Sequence, residues 1–365
     1  MGIKRRQTVN RREFLKGAAV LGGAALVRRL GGNVPTSAQA GSLSLAGGDL
    51  DHHIYLPSIS KQQAPLGNSA TGPSKLGLHT LHADGAESFV RDVREADACV
   101  ALVKGVDEFG YLRQVKDISP ETITIARSNV VQAVQPSGDP AEAAVWLMDQ
   151  HMPKWQWEAD VVDYWEIQNE NDPPAIAGHV WLAEMYIAAM QIAEDNGHKL
   201  ALFSYSTGVP QWHEWEAIVE TGVFARAKAG GHILALHEYG WPTTDNRWGE
   251  ATEDLPPYED RGVLTGRYRY LYRDFLIPRD EVIPLAITES GLDPLLENAD
   301  PGDWKHRYVD NMIWYDTKLR EDDYVIGATM FTLGPYGIWD DYDYEELLRP
   351  NSYGDNFRDY IISLK

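Results

Sequence analysis

Two short stretches carry residue types that could do chemistry. The first is Tyr164-Trp165-Glu166-Ile167-Gln168-Asn169-Glu170-Asn171, which starts aromatic and apolar and ends polar, ahead of Asp172-Pro173-Pro174. The second is Pro284-Leu285-Ala286-Ile287-Thr288-Glu289-Ser290-Gly291, an apolar run that also delivers a glutamate at its end. Apolar and aromatic runs of this kind read as strands, and an X-Pro step stops the first. A buried strand with a carboxylate at its C-terminal tip sets that group at the mouth of a sheet or barrel, where α/β folds place their sites. Two carboxylates facing one another there can divide proton transfer and nucleophilic attack between them.

Other strand-like runs end in polar or aromatic residues too. Ile233-Leu234-Ala235-Leu236 leads into His237-Glu238-Tyr239-Gly240-Trp241-Pro242, and another run ends in Arg127-Ser128-Asn129. The first run ends near His79, Thr80 and His82, and the last near Phe331, Tyr336 and Trp339.

These tips need elements to position them. From residue 75 onward, apolar runs at 76–81, 98–103, 122–126, 161–167, 200–203, 233–236, 285–287 and 324–331 alternate with amphipathic stretches such as 141–150, 180–194 and 307–319. In 180–194, Leu182, Met185, Tyr186, Ala189 and Ile192 recur at helical spacing. Eight strands alternating with helices predict an α/β fold, a (β/α)8 TIM barrel forming one domain over 75–365. A doubly wound sheet alternates in the same way, but it is expected to carry a glycine-rich phosphate loop after an early strand, and there is none.

Residues 1–40 read as a twin-arginine signal peptide. Arg11-Arg12-Glu13-Phe14-Leu15-Lys16 is followed by an apolar run over 17–27, too short to span a bilayer, and Ala38-Gln39-Ala40 fits a cleavage site. Residues 41–74, rich in Gly, Ser, Gln and Pro, read as a flexible linker.

Composition narrows the function classes. A hydrophobic fraction of 44% and a charged fraction of 24% over 365 residues are those of a soluble globular protein. The net charge is −21, and the signal holds eight of the 33 basic residues but one of the 54 acids, so the rest is more acidic still. That argues against nucleic acid as a partner and, once the signal is cleaved, against a membrane surface. The single cysteine, Cys99, excludes an intramolecular disulfide framework and a thiolate metal cluster. No cofactor and no metal is expected: His79-Thr80-Leu81-His82 has the wrong spacing for two ligands on one strand face. Nothing in the sequence sets an oligomeric state.

Glu170 and Glu289 at one barrel mouth suit glycoside hydrolysis. One protonates the leaving oxygen while the other attacks the anomeric carbon, which requires the carboxyls at ~5–5.5 Å. The acid must stay protonated in the resting enzyme, a state that a neighbouring carboxylate favours. The combination of Ile167-Gln168-Asn169-Glu170, His237-Glu238-Tyr239 and Ile287-Thr288-Glu289 resembles clan A of the glycoside hydrolases, retaining (β/α)8-barrel enzymes, over the whole 75–365 region.

The resemblance implies a secreted retaining β-glycoside hydrolase acting on a neutral poly- or oligosaccharide, with Glu170 as acid/base and Glu289 as nucleophile. It implies Asn169 at the sugar 2-hydroxyl, Tyr239 orienting Glu289, and Arg127 beside the nucleophile. A structural ion pair is the other reading of Arg127. Trp339 resembles the aromatic floor of the site, with Phe331 and Tyr336 as alternatives. His79 and His237 are read as sugar-hydroxyl contacts, with satisfied polar groups of the barrel layer as the other reading. Trp241, together with Trp212, Trp215 and Trp248, is read as stacking surface. Trp146, Trp155, Trp165, Trp181 and Trp314 are read as packing residues. Glu166 and Glu238 are expected to turn toward the helices, and the long segment 243–261 to wall the cleft. The competing functions are a catalytically inactive carbohydrate-binding barrel and, on His79, His82 and His237, a metal-dependent barrel hydrolase.

Overall fold

Eight parallel strands run β1 (Leu76–Thr80), β2 (Leu102–Val106), β3 (Ile123–Arg127), β4 (Tyr164–Glu166), β5 (Ala201–Tyr205), β6 (Ile233–Gly240), β7 (Leu285–Leu292) and β8 (Val325–Leu333). Their order in the sheet is β4-β3-β2-β1-β8-β7-β6-β5. A bridge between Trp165 and Leu200, with the Trp165 amide donating to the Lys199 carbonyl at 2.9 Å, joins the two outer strands and closes the barrel. The structure, a computed structural model, describes residues 72–83, 85–250, 258–292, 301–349 and 356–365. The signal peptide, most of the linker and residues 251–257 of the long segment lie outside them. Ser74, read as linker, is instead buried, and the adjacent Lys75 carbonyl accepts from Ala328 at the start of the barrel wall.

Helices follow the strands. The first is α1 (Ala86–Glu95), then α2 (Leu112–Ile118), α3 (Pro140–His151) and α4 (Ile176–Asp195). The start of α3 is set locally: Asp139 accepts the Ala141 amide, and Pro140 brings a φ already suited to the first turn. On α4, Leu182, Met185, Tyr186, Ala189, Met190 and Ala193 are all buried, an apolar face that lies against the barrel. The chain continues with α5 (Trp212–Glu220), α6 (Val223–Gly230), α7 (Tyr268–Leu271), α8 (Pro301–Leu319), α9 (Glu345–Leu348) and α10 (Phe357–Ser363). No helix among the described residues is long and apolar enough to cross a membrane.

Strand alternation sorts side chains between two cores. Outward residues such as Leu78, Val103, Ala126 and Trp165 join the large cluster under the helices. There the Trp165 ring stacks on Trp155 at 4.6 Å, both rings fully buried, so these two tryptophans pack as expected. Inward residues Leu102, Ile125, Ala201, Ile233, Ala235 and Ala286 form a second, smaller cluster that fills the lower barrel. Two residues further along β2, β3, β4 and β6, the same inward face carries Lys104, Arg127, Glu166 and His237 in place of aliphatics. The barrel interior is therefore apolar at its base and charged toward its C-terminal mouth.

Candidate active site

Glu289 reaches the mouth because β7 carries an extra residue. Ile287 pairs with Leu236, but Glu289, not Thr288, pairs with His237. Strict alternation from inward Ala286 would turn Glu289 outward; one inserted residue reverses the face, which is how a β-bulge re-aims a side chain. Glu170 is held differently. Beyond β4 the Asn169 amide donates to Gln132 O at 2.7 Å and the Glu170 amide donates to Ser204 O at 2.9 Å. The Gln168 side chain accepts from Val134 N and Asn171 Nδ2. These bonds hold Glu170 at φ 48°, a left-handed conformation that costs a non-glycine residue about 1 kcal/mol or more.

The result is a compact polar constellation. One carboxylate oxygen of Glu170, one of Glu289 and a ring nitrogen of His237 all lie within 4.8 Å of one another. His237 Nδ1 sits 3.1 Å from Glu170 Oε1 and 3.5 Å from Glu289 Oε2. The Tyr239 hydroxyl donates to Glu289 Oε2 at 3.1 Å. Oε1 of the same carboxylate meets Arg127 Nη1 at 3.2 Å, Lys104 Nζ at 3.3 Å and His79 Nε2 at 3.6 Å. Arg127 also donates to Asn169 Oδ1. Because arginine can only donate, this contact fixes the amide orientation and leaves Asn169 Nδ2 as the group available to a ligand.

Electrostatics follow from burial against charge. Burial pushes the Glu289 carboxyl up, but its neighbours His237, Lys104, His79 and Arg127 together outweigh it and hold Glu289 well below the usual carboxylate range. His79 goes the other way. Burial lowers it to about 4, so its ring is neutral at pH 7, with Nδ1 2.7 Å from the Thr332 hydroxyl. Asp172 is pushed up to about 6 by burial and by the charge of Glu170, against hydrogen bonds from the Ser206 hydroxyl and amide.

The structure thus gathers Glu170, Glu289, Asn169, Tyr239, His237, Arg127 and His79 in one place. Trp241, 40% exposed just beyond β6, stands at the rim. Trp339 packs with Phe331 and Tyr342 in one aromatic cluster beside Tyr239. The ring against His79, at 4.7 Å, and Tyr239, at 6.1 Å, is Phe331, and Trp339 packs edge-on behind it at 5.4 Å. Phe331 belongs to β8 itself, and Trp339 lies in the turn that follows it.

Three expectations need correction. Trp215 is a core residue packed on Phe203, Tyr205 and Phe224. Trp212 is tied to Asp274 and Phe275, and Trp248 to Trp314. Trp146, by contrast, is half exposed rather than packed. Glu166 does not turn to the helices: it is fully buried inside the barrel with its Oε2 2.8 Å from Lys104 Nζ. Glu238 does face outward, accepting from the Gly266 and Arg267 amides and from Tyr315.

Lys104, Glu166, Asp172 and Phe331 are the neighbours of the site to which sequence reasoning gave no role there or only an alternative one. Lys104 had a signal: a lysine flanked by Leu102-Val103 and Gly105-Val106 is a charge in a buried run.

Replacing Tyr239 with Phe tests the orienting hydrogen bond. A hydrogen bond to a charged group contributes about 1.5–3 kcal/mol. The variant is expected to lose roughly 10- to 100-fold in kcat/KM against a cleavable glycoside, with an unchanged thermal midpoint by circular dichroism.

A (β/α)8 barrel with two glutamates facing across its C-terminal mouth is the class of protein that fold and site define. Among family models, that of the twin-arginine translocation (TAT) pathway signal sequence matches residues 8–27. No curated protein matches the chain. Among solved structures, the chain is similar to the catalytic domain of a mannanase from Streptomyces sp. SirexAA-E, at 18% identity and a TM-score of 0.41, over 86% of this chain and 98% of that one. It is similar to a family 39 glycoside hydrolase from Bacteroides cellulosilyticus WH2, at 14% identity and a TM-score of 0.47, over 80% and 63%. It is also similar to a GH128 endo-β-1,3-glucanase from Amycolatopsis mediterranei, at 12% identity and a TM-score of 0.43, over 80% and 100%.

Proposed function

We propose that the protein is an exported retaining glycoside hydrolase acting on a neutral poly- or oligosaccharide in the cell envelope or outside the cell. The observation that carries this reading is the approach of Glu170 and Glu289 oxygens to within 4.8 Å of one another and of His237. That spacing leaves room for an anomeric carbon but not for a water beside it, as double displacement requires.

Each residue then has a task. Glu289, kept anionic by Lys104 and Arg127 and aimed by Tyr239, attacks the anomeric carbon. Glu170, protonated, gives its proton to the departing oxygen as the glycosyl–Glu289 ester forms. Glu170, now a carboxylate, takes a proton from water as that water attacks the ester, and Glu289 leaves as a carboxylate. Asn169 Nδ2 reaches the 2-hydroxyl, and Phe331 supplies an apolar floor. Glu170, Glu289 and His237 are also the donor types of a metal site. The ammonium of Lys104 and guanidinium of Arg127 already occupy one face of Glu289, and their charge opposes a cation there.

The test is a panel of β-linked glycans followed by NMR from the first seconds of hydrolysis. The β-anomer is expected to appear first and then mutarotate. An α-anomer formed first would mean inversion, and the double-displacement reading would be wrong.

A further inference from the structure

Beside Glu289 lies an ion pair of which the reaction above uses only the charge of Lys104, leaving its partner Glu166 without a task. Lys104 and Glu166, both 0% exposed, meet at 2.8 Å, and Lys104 extends to Glu289 Oε1 at 3.3 Å. Arg127 Nη1 spans the same two carboxylates, 3.7 Å from Glu166 and 3.2 Å from Glu289. The groups facing Glu289 are therefore His79 from β1, Lys104 from β2, Arg127 from β3, Glu166 and Glu170 from β4 and its extension, and His237 and Tyr239 from β6.

Two fixed cations and one fixed anion leave a single uncompensated positive charge. A buried pair of this kind costs desolvation and is weak evidence for stability. Its placement beside a reacting carboxylate suggests another use.

We propose that Lys104 and Glu166 are positioning residues that set the charge on Glu289: Lys104 draws it toward the anion, and Glu166 limits that pull. This rests on the assignment of Glu289 as nucleophile. In the resting site the anion of Glu289 balances the surplus charge. In the glycosyl ester Glu289 is neutral, so the surplus stands alone and favours departure of Glu289 as a carboxylate when water attacks. Without Glu166, two unopposed cations would hold the anion too well for attack. Without Lys104, two carboxylates would share one arginine, and protonating one of them would relieve the repulsion.

The experiment is a carboxyl 13C-NMR titration of the mature protein labelled at glutamate, with the Glu289 signal assigned by its loss in Glu289→Gln, run beside the pH profile of kcat/KM. In Lys104→Met the Glu289 midpoint and the acid limb of the profile are expected to rise by about one pH unit or more, with KM nearly unchanged. In Glu166→Gln, which keeps the side-chain shape, both are expected to fall. A pair with a merely structural role would lower the thermal midpoint and move neither titration. If Lys104→Met fails to fold, the Glu166→Gln shift decides alone. An unmoved or raised midpoint there overturns the proposal, as does an unmoved one in Lys104→Met. Glu289 midpoints that move as stated while hydrolysis is absent, or ignores them, leave the charge pair standing and reject Glu289 as the nucleophile.

Discussion

Glu289→Ala is expected to lose about 10⁴-fold or more in kcat while keeping its fold, because the bond-forming atom itself is removed. The fold should persist because Lys104 retains Glu166 at 2.8 Å and Arg127 retains Asn169. The stronger part of the expectation is chemical. Deleting the carboxylate opens a space on the face of the sugar opposite Glu170, lined by Lys104, Arg127 and the neutral ring of His79. A small anion such as azide fits that space and those charges. With an activated β-aryl glycoside, azide should restore turnover and yield an α-glycosyl azide, inverted because only one displacement has occurred. Circular dichroism checks the fold, and NMR of the product checks the configuration. A variant that retains a tenth of the native rate, or azide rescue giving the β-product, would place the nucleophile elsewhere.

How far the site could be read from sequence depended on periodicity. All eight apolar runs became strands, since alternation and length survive small boundary errors. The end of the second run was misplaced: read as 98–103, it stopped one residue before Lys104, whereas the strand is Leu102–Val106. That offset hid the cation beside Glu289. Glu166 was read by its distance from the strand tip, but β4 ends at Glu166 itself, and inward Tyr164 puts Glu166 on the same face. The inward turn of Glu289 depends on the extra residue in β7, which no local composition announces. The tryptophans after β5 and β6 were read from chain position, but Trp215 lies on the buried face of α5 and only Trp241 is exposed at the rim. A tight loop can still return an aromatic ring to the core, and position along the chain carries no information about that.

Glu170→Ala should separate the two halves of the reaction. Losing a general acid costs about 10²–10⁴-fold, but that loss falls on glycosylation only when the leaving oxygen needs a proton. Natural glycans, which depart as alkoxides without one, should therefore suffer the full loss, whereas an aryl glycoside with an acidic phenol should form the glycosyl ester almost as fast as with the native protein. Hydrolysis of that ester then lacks its base. His237, 3.1 Å from the native Glu170 oxygen, does not replace it, because its Nδ1 also faces Glu289. The variant should show a burst of phenol equal to the enzyme present, followed by slow turnover, and intact-mass measurement should find one sugar attached at Glu289. Azide, needing no base, should speed the second step and give the β-glycosyl azide, the opposite configuration from the Glu289 variant. Opposite products from two variants whose native oxygens lie within 4.8 Å require the two carboxylates to act from opposite faces of one sugar. Equal losses on natural and aryl substrates, with no burst, would show that Glu170 does not handle the proton of the leaving group.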